Sequence, residues 1–504
     1  ASCSMGSILR SDHYSSDGPA TCQRKTKVTR LAFQPRPKRG VRGRKTGVIR
    51  SLGPFCAAKS APVEAAPALP REVTCAVGMF TSYDYVIVGA GSAGAVLAAR
   101  LSEDRGATVC LIEAGPKDRS PLIRIPLGVM ILSKDKRHNW LFSSTPQSAL
   151  GGRRISVPRG KVLGGSSAIN GMIYIRGHRA DYDSWAEAGC DGWGYESVLP
   201  YFKRSEANSD AMLDDHLHGR DGPLSVTYIP DPSPVDADFV AAAQELQLRS
   251  CPDFNQPEPE GVGLFHVTQK NGQRHSVAEA FLAPAKARAN LRIETGLQVE
   301  RVEIGDARAT AVIARRADGS TIRIAAEREI CLSAGAIGSP DILLRSGIGA
   351  AQDLQAAGIA PVHDLPGVGR NLQDHPDCMI ISRARSTVPY GLSLRALPDR
   401  VGDAFDWLLR KRGMFSSNMV EAGGFVRSSP AEARPDIQFH LIPGLKSHRG
   451  RMIEYGHGVS LHTCILRPES RGSVTRRGPD GPPDIDLGLL SSEDDRMRML
   501  RGIK

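Results

Sequence analysis

Aromatic residues make up only 5% of this 504-residue chain, and its ten cysteines lie far apart, at 3, 22, 56, 75, 110, 190, 251, 331, 378 and 464. With no CxxC pair and no compact cysteine framework, a disulfide-built mini-domain is excluded, and free thiols suited to a reducing compartment are expected. No stretch approaches the ~18 consecutive apolar residues of a membrane span. Metal-ligand spacing is also missing. His216 and His218 form the one close histidine pair and have no Cys or carboxylate cluster beside them, so no metal site is expected. Acidic residues are scarce at one end. Residues 1–63 hold 13 Lys and Arg against Asp12 and Asp17, and thereby the whole formal charge of +11. The remainder is neutral, so no nucleic-acid footprint is expected of it. The basic, Ser- and Pro-rich segment suits a cleavable organellar leader, plastid or mitochondrial, over about residues 1–78.

What is present begins at Tyr83. YDYVIVGAGSAGAVLAARLSEDRGATVCLIE supplies a short β-branched strand, then Gly89, Gly91 and Gly94 at GxGxxG spacing, a helix from Ser92, a second strand from about 108 to 112, and Glu113. Each part has a physical role in holding a dinucleotide. Gly89 permits the tight turn, Gly91 admits the pyrophosphate, and Gly94 lets the helix lie close on the strand. The N–H groups at the helix start, from Ser92 on, face the phosphates. Glu113 can accept hydrogen bonds from ribose hydroxyls, and its charge disfavours a 2′-phosphate. These residues leave open which cofactor is bound.

Further motifs narrow the choice. RGKVLGGSSAINGMIYIRGHRADYD (159–183) and SAGAIGSPDILLRSGIG (333–349) follow GAGSAG in order, with HNWLFSSTPQ, HGRDGPL, NGQRHSVAEAFLAP, LPGVGRNLQDHP, EAGGFVRS and LRPESRGSV between and beyond them. This pattern, over about residues 82–504, resembles the glucose-methanol-choline flavin oxidoreductases. The resemblance implies an α/β fold in which a Rossmann-type FAD-binding domain carries an α+β substrate-binding domain. The expected divisions are 79–230 and 263–374 for the FAD domain, and 231–262 and 375–504 for the substrate domain. The resemblance also implies FAD held by Gly89, Gly91, Ser92, Gly94 and Glu113 at its ADP half. Val162, Gly164, Gly165 and the run Asn170, Gly171, Met172, Ile173 would lie along the flavin, and the Val299 backbone would meet the adenine. Some relatives attach FAD through a histidine just before that asparagine. Ile169 stands there, so dissociable FAD is expected.

Family chemistry removes a hydride from a carbinol carbon while a base takes the hydroxyl proton, work suited to an imidazole. The family places that base on a C-terminal segment, which is expected beyond Lys504, so the substrate domain is read as incomplete at its C-terminus. Among internal histidines, His375, His440 and His462 fit packed positions better, and His440 is a candidate for lining the substrate cavity. The small-molecule substrate is expected to be a primary alcohol. With few aromatics and no aromatic cluster in the substrate region, an aliphatic alcohol is favoured over choline, which calls for an aromatic cage. Two alternatives stand beside this reading. One is a catalytically incomplete flavin-binding remnant. The other is a light-driven fatty-acid decarboxylase, a branch that uses a cysteine and an arginine where this chain has Val420 and His440. A strand over 291–302 and a helix over 397–410 packed behind the substrate-domain sheet complete the expectations.

Overall fold

The computed structural model of the protein describes residues 82–446 and 454–504; the expected leader lies outside the described residues. Strand β1 (Ser82–Val88) leads through Gly89 into helix α1 (Ser92–Leu101), and β2 (Val109–Glu113), wholly buried, returns parallel to β1. Burial on both faces is why these strands are continuous in Val, Ile, Leu and Cys instead of alternating with polar residues. Much later in the chain β3 (Gly261–Leu264) joins a second sheet, and the first is completed by β4 (Leu291–Thr295), β5 (Gln298–Gly305), β6 (Arg308–Arg315) and β7 (Thr321–Leu332). Its order is β4-β2-β1-β7-β6-β5. The strands β4, β2, β1 and β7 run parallel, whereas β5, β6 and β7 form an antiparallel meander. The strand expected over 291–302 is therefore two. Gly296, at φ +75°, turns the chain between them, and β4 and β5 end at opposite edges.

Side-chain alternation divides the core. Ile87 and Leu111 pack under Ala95 and Ala98 of α1 with Phe281 and Leu282, and the small α1 residues let the helix lie close. Val86, Val88, Cys110 and Ile112 face Val302, Val312 and Ile342, the last from α2 (Gly335–Arg345). The glycine-rich SAGAIGSP run thus enters a helix.

The second sheet takes β8 (Asp377–Ala384), then, after helix α3 (Leu397–Arg410), β9 (Ala422–Val426), β10 (Ile437–Ile442) and β11 (Gly456–Ile465). Its order is β8-β11-β10-β9-β3, all antiparallel, with Gly391–Leu392 also pairing with β11. Because β3 runs to Leu264, this sheet extends two residues past the division expected at 262. A hairpin of β12 (Ser473–Thr475) and β13 (Asp484–Asp486) packs on Val157 and Ile337, so part of the 375–504 span sits against segments assigned to the FAD domain. Helix α3 does not lie behind the sheet. That place belongs to α4 (Glu493–Ile503), whose Met499 and Ile503 meet Ile437 and Ile465. The opposite sheet face, with Phe425, Cys464 and Leu466, meets Ile173 and Ile175 and creates the space between the two sheets.

Candidate active site

The nucleotide end of the site is built where β1 and β2 finish. Gly89 adopts φ +95°, and a Cβ there would lie 2.6 Å from the Ser333 carbonyl oxygen, so only glycine closes this turn. At Gly94 a Cβ would fall 1.9 Å from the Gly89 oxygen, which fixes the close approach of α1 to β1. Gly91 caps α1 without any side-chain hydrogen bond, and Ser92 and Ala93 are exposed, so the first N–H groups of the helix remain available to an anion. The second glycine pair closes over the first. Gly164 N–H donates to the Ala90 carbonyl at 2.9 Å, and a Cβ on Gly165 would come within 2.6 Å of the Gly91 Cα.

Glu113 is 5% exposed and holds this turn from beneath. Its Oε2 accepts from Ala90 N–H at 3.0 Å and its Oε1 from Gly115 N–H at 2.9 Å. Burial pushes its carboxyl up to about 7, against the pull of these N–H groups and of Lys161. Each oxygen keeps a lone pair for a ribose hydroxyl. The Glu113 carbonyl accepts from Leu297 N–H at 3.0 Å, which brings the start of β5, with Val299 buried in it, to the same end of the sheet.

From the fully buried Val162 the chain runs through Gly165 and past Ile169, also buried, to a shelf formed by Asn170–Ile173. Met172 takes φ +59°, and Gly171 has no atom within 4 Å of a Cβ position, so one side of the shelf is open. Below it lies Arg274, 4% exposed, which sequence reasoning missed although its motif NGQRHS was quoted. Its Nε donates to the Ile123 carbonyl at 3.0 Å, and its Nη1 donates to the Ser167 carbonyl at 3.1 Å and to Asn170 Oδ1 at 2.9 Å. Nη2 is buried without a partner. Burial lowers its pKa to about 9, so it is charged at neutral pH. Asn418 clamps the other side by donating to the Gly171 carbonyl.

Beyond Ile173 opens a cavity of about 650 Å³. Its walls include Ile175, Phe254, Phe425, Leu466 and His440, with His375 at the exposed rim. His440 sits opposite His462 in the β10–β11 register and 5.9 Å from the Phe265 ring. Burial pushes its imidazole down to about 4; Asp377 opposes this, and His462, His375 and Lys446 add to it. His462 is engaged elsewhere, by Lys446 at 3.3 Å and by Asp377 at 2.8 Å. The same cavity gathers Tyr182, Trp185, Tyr195, Phe254 and Phe425, which corrects the expectation of no aromatic cluster. Tyr182, Trp185 and Tyr195 are close in sequence, and folding brings Phe254 and Phe425 to them.

The GMC oxidoreductase family model matches residues 83–377. The chain belongs to the GMC oxidoreductase family. A Pseudomonas putida protein named alcohol dehydrogenase (acceptor) is 44% identical over 425 residues, 84% of this chain and 77% of that protein. An oxygen-dependent choline dehydrogenase of Vibrio vulnificus is 39% identical over 418 residues, 82% of this chain and 74% of that one. The crystal structure of pyridoxine 4-oxidase from Mesorbium loti matches with a TM-score of 0.74 at 32% identity, covering 84% of this chain and 79% of the other. This GMC protein is thus a FAD-dependent oxidoreductase acting on CH–OH groups.

The residues present fit FAD. The uncapped α1 start, the lack of side-chain room at Gly89, Gly94 and Gly165, the residual capacity of Glu113 and the open side of Gly171 together suit a dinucleotide whose ring end lies towards the cavity. At Ile169 the side chain is a buried hydrocarbon, with no nucleophile to attach a cofactor. Among the described residues no group of His, Cys, Asp and Glu could hold a metal, and no helix is long and apolar enough to cross a membrane. The six described cysteines are all free.

Proposed function

We propose that the protein oxidises a primary aliphatic alcohol to an aldehyde in the cavity between Ile173 and His440. The observation that carries this reading is the juxtaposition of the Asn170–Ile173 shelf with a space of about 650 Å³ that is apolar on the side of Ile173, Phe254, Phe425 and Leu466, polar on the side of Arg179, Asp181 and Arg467, and bordered by the His440 imidazole. Bound FAD would supply the two-electron acceptor at the shelf. Arg274 and Asn418 hold that shelf rigid from two sides. His440, uncharged at neutral pH because burial lowers it to about 4, can accept a hydrogen bond from a substrate hydroxyl and orient it. Ile173, Ile175, Phe254, Phe425 and Leu466 offer the alkyl chain an apolar side of the cavity.

Choline fits less well, even with the aromatic wall. The aromatic rings are occupied with one another, Tyr182 and Trp185 edge-on at 5.3 Å and Phe254 and Phe425 at 5.4 Å. Of the two lining carboxylates, Asp181 is held by both Arg467, at 2.6 Å, and Arg434, at 3.0 Å, so its charge is largely engaged, and Asp374 is paired only with Arg159, at 3.8 Å. The test is turnover of a straight-chain alcohol series and of choline with a dye acceptor. The expected result is a kcat/KM that rises about three- to fourfold per added methylene until the cavity is filled, since each buried methylene contributes about 0.8 kcal/mol. Preference for choline over every alkanol would overturn the aliphatic assignment, and alkane formed from fatty acid under blue light would favour the decarboxylase alternative.

A further inference from the structure

Two buried carboxyl groups stand apart from the cavity. Asp236, in the helix Pro234–Glu245, and Glu421, just before β9, are each 1% exposed, and their side chains meet. Their surroundings differ. Glu421 accepts from Ser233 N–H at 2.6 Å, from the Tyr390 hydroxyl at 3.3 Å and from the Ser417 hydroxyl, whereas neither oxygen of Asp236 has a donor. Two carboxyl groups in contact and away from water cannot both ionise. The three donors favour the charge on Glu421, so the proton belongs to Asp236, which thereby becomes a donor to Glu421. Among the described residues no Lys, Arg or His shifts Asp236. Its helix packs on β3 and β9, which hold no titratable side chain, and Asp238 and Glu245 on the helix itself are exposed. Tyr390 is held neutral by burial and by the two carboxyl groups, and Asp403, which also bears on it, is paired with Arg400 at 3.2 Å.

The pair reaches the flavin shelf through one hydroxyl. Ser417 donates to Glu421 and accepts from Met419 N–H at 2.9 Å, closing a tight turn in which Met419 takes φ +67°. Asn418, 1% exposed, sits in that turn and donates to the Gly171 carbonyl of the shelf. We propose that Asp236 and Glu421 share one proton and that the pair positions Asn418 against Gly171, so that the shelf slackens when the proton is lost. Both are positioning residues, acting on the cofactor site only through Ser417 and Asn418. Burial, then Glu421, pushes the Asp236 carboxyl up to about 9 against the weaker pull of the Ser233 backbone, so the loss falls on the alkaline side.

The FAD dissociation constant of the full chain is followed by flavin fluorescence from about pH 7 to pH 10 in wild type, Asp236→Asn and Asp236→Val. Asparagine offers Glu421 an N–H that does not titrate, and valine offers none. Over this range wild type is expected to weaken about fivefold more than Asp236→Asn, the contribution of one hydrogen bond at the shelf, while Asp236→Val binds weakly throughout. Arg274, lowered to about 9, titrates in all three proteins, so the difference between them is the readout. Equal pH dependence in wild type and Asp236→Asn would overturn the proposal, as would Asp236→Asn binding as poorly as Asp236→Val at neutral pH. Stability gives a second measure without FAD. The raised carboxyl contributes stability that is fully present below its ordinary value of 3.8 and is lost as the pH climbs towards about 9. In urea unfolding Asp236→Asn should therefore gain on wild type between about pH 5 and pH 9. A constant offset between the two, or failure of Asp236→Asn to fold, would overturn the shared proton.

Discussion

Glu113 shows how one side chain can hold a turn and keep hydrogen-bonding capacity for a ligand. Folding raises its pKa from 4.5 to about 7 through burial. The stability that this shift contributes is therefore fully present below about pH 4.5 and is lost as the pH climbs through about 7, a change of up to about 3 kcal/mol. The melting temperature of FAD-free protein is expected to fall between about pH 5 and pH 8, and FAD, whose ribose hydroxyls would donate to the ionised carboxylate, is expected to flatten that fall. A FAD-free melting profile that is flat over this range would show Glu113 ionising freely. Arg274 is the complementary case. Replacing it with Met would leave the Ile123 and Ser167 carbonyls without this donor and Asn170 Oδ1 with only the Met172 N–H, at a cost of about 1–3 kcal/mol, and would loosen the shelf. FAD affinity measured by fluorescence titration should fall more in Arg274→Met than in Arg274→Lys. Glu113 could be read from its spacing after the glycines. The importance of Arg274 could not, because its partners lie over a hundred residues away in sequence.

The βαβ unit is the element the sequence displays best. Its bounds, 82–88, 92–101 and 109–113, follow the expected ones closely because local rules govern them: β-branched runs, glycine spacing and a parallel return. Two of its three motif glycines separate in a mutational test. Gly94→Ala drives a methyl onto the Gly89 carbonyl, so it should lower the melting temperature and abolish FAD binding together, by overpacking of about 1–3 kcal/mol. Gly91→Ala has 3.9 Å to the Gly165 Cα, so it should melt like wild type yet bind FAD more weakly, because the methyl stands where the pyrophosphate would approach. Equal behaviour of the two variants in both assays would contradict this division of labour. Elements whose placement depends on tertiary partners were less legible. The period of α3 gave its bounds, Leu397–Arg410, but a period cannot say which face turns inward, and Trp407, Arg400 and Asp403 claimed that side. Likewise Gly296 splits β4 from β5 by a single positive φ within an otherwise continuous strand-like run.

At the scale of the molecule, function depends on two sheets from interleaved stretches of chain. β3, taken from between parts of the first domain, completes the second sheet and brings Phe265 and its neighbours over Ile173. The cavity joins segments remote in sequence, which is why the meeting of Tyr182, Trp185 and Tyr195 with Phe254, Phe425 and His375 was invisible there. The family, the cofactor and the general chemistry were legible because glycine-rich loops that touch a cofactor tolerate few alternatives. Cavity contents were not, since they are set by packing between remote segments. The most direct test of the account is anaerobic addition of a long-chain primary alcohol to the FAD-loaded protein while the visible flavin absorbance is followed. Stoichiometric bleaching, with the corresponding aldehyde as product and a marked slowing in His440→Ala, is the predicted result. Flavin that stays bound and fully oxidised in the presence of excess alcohol would contradict it.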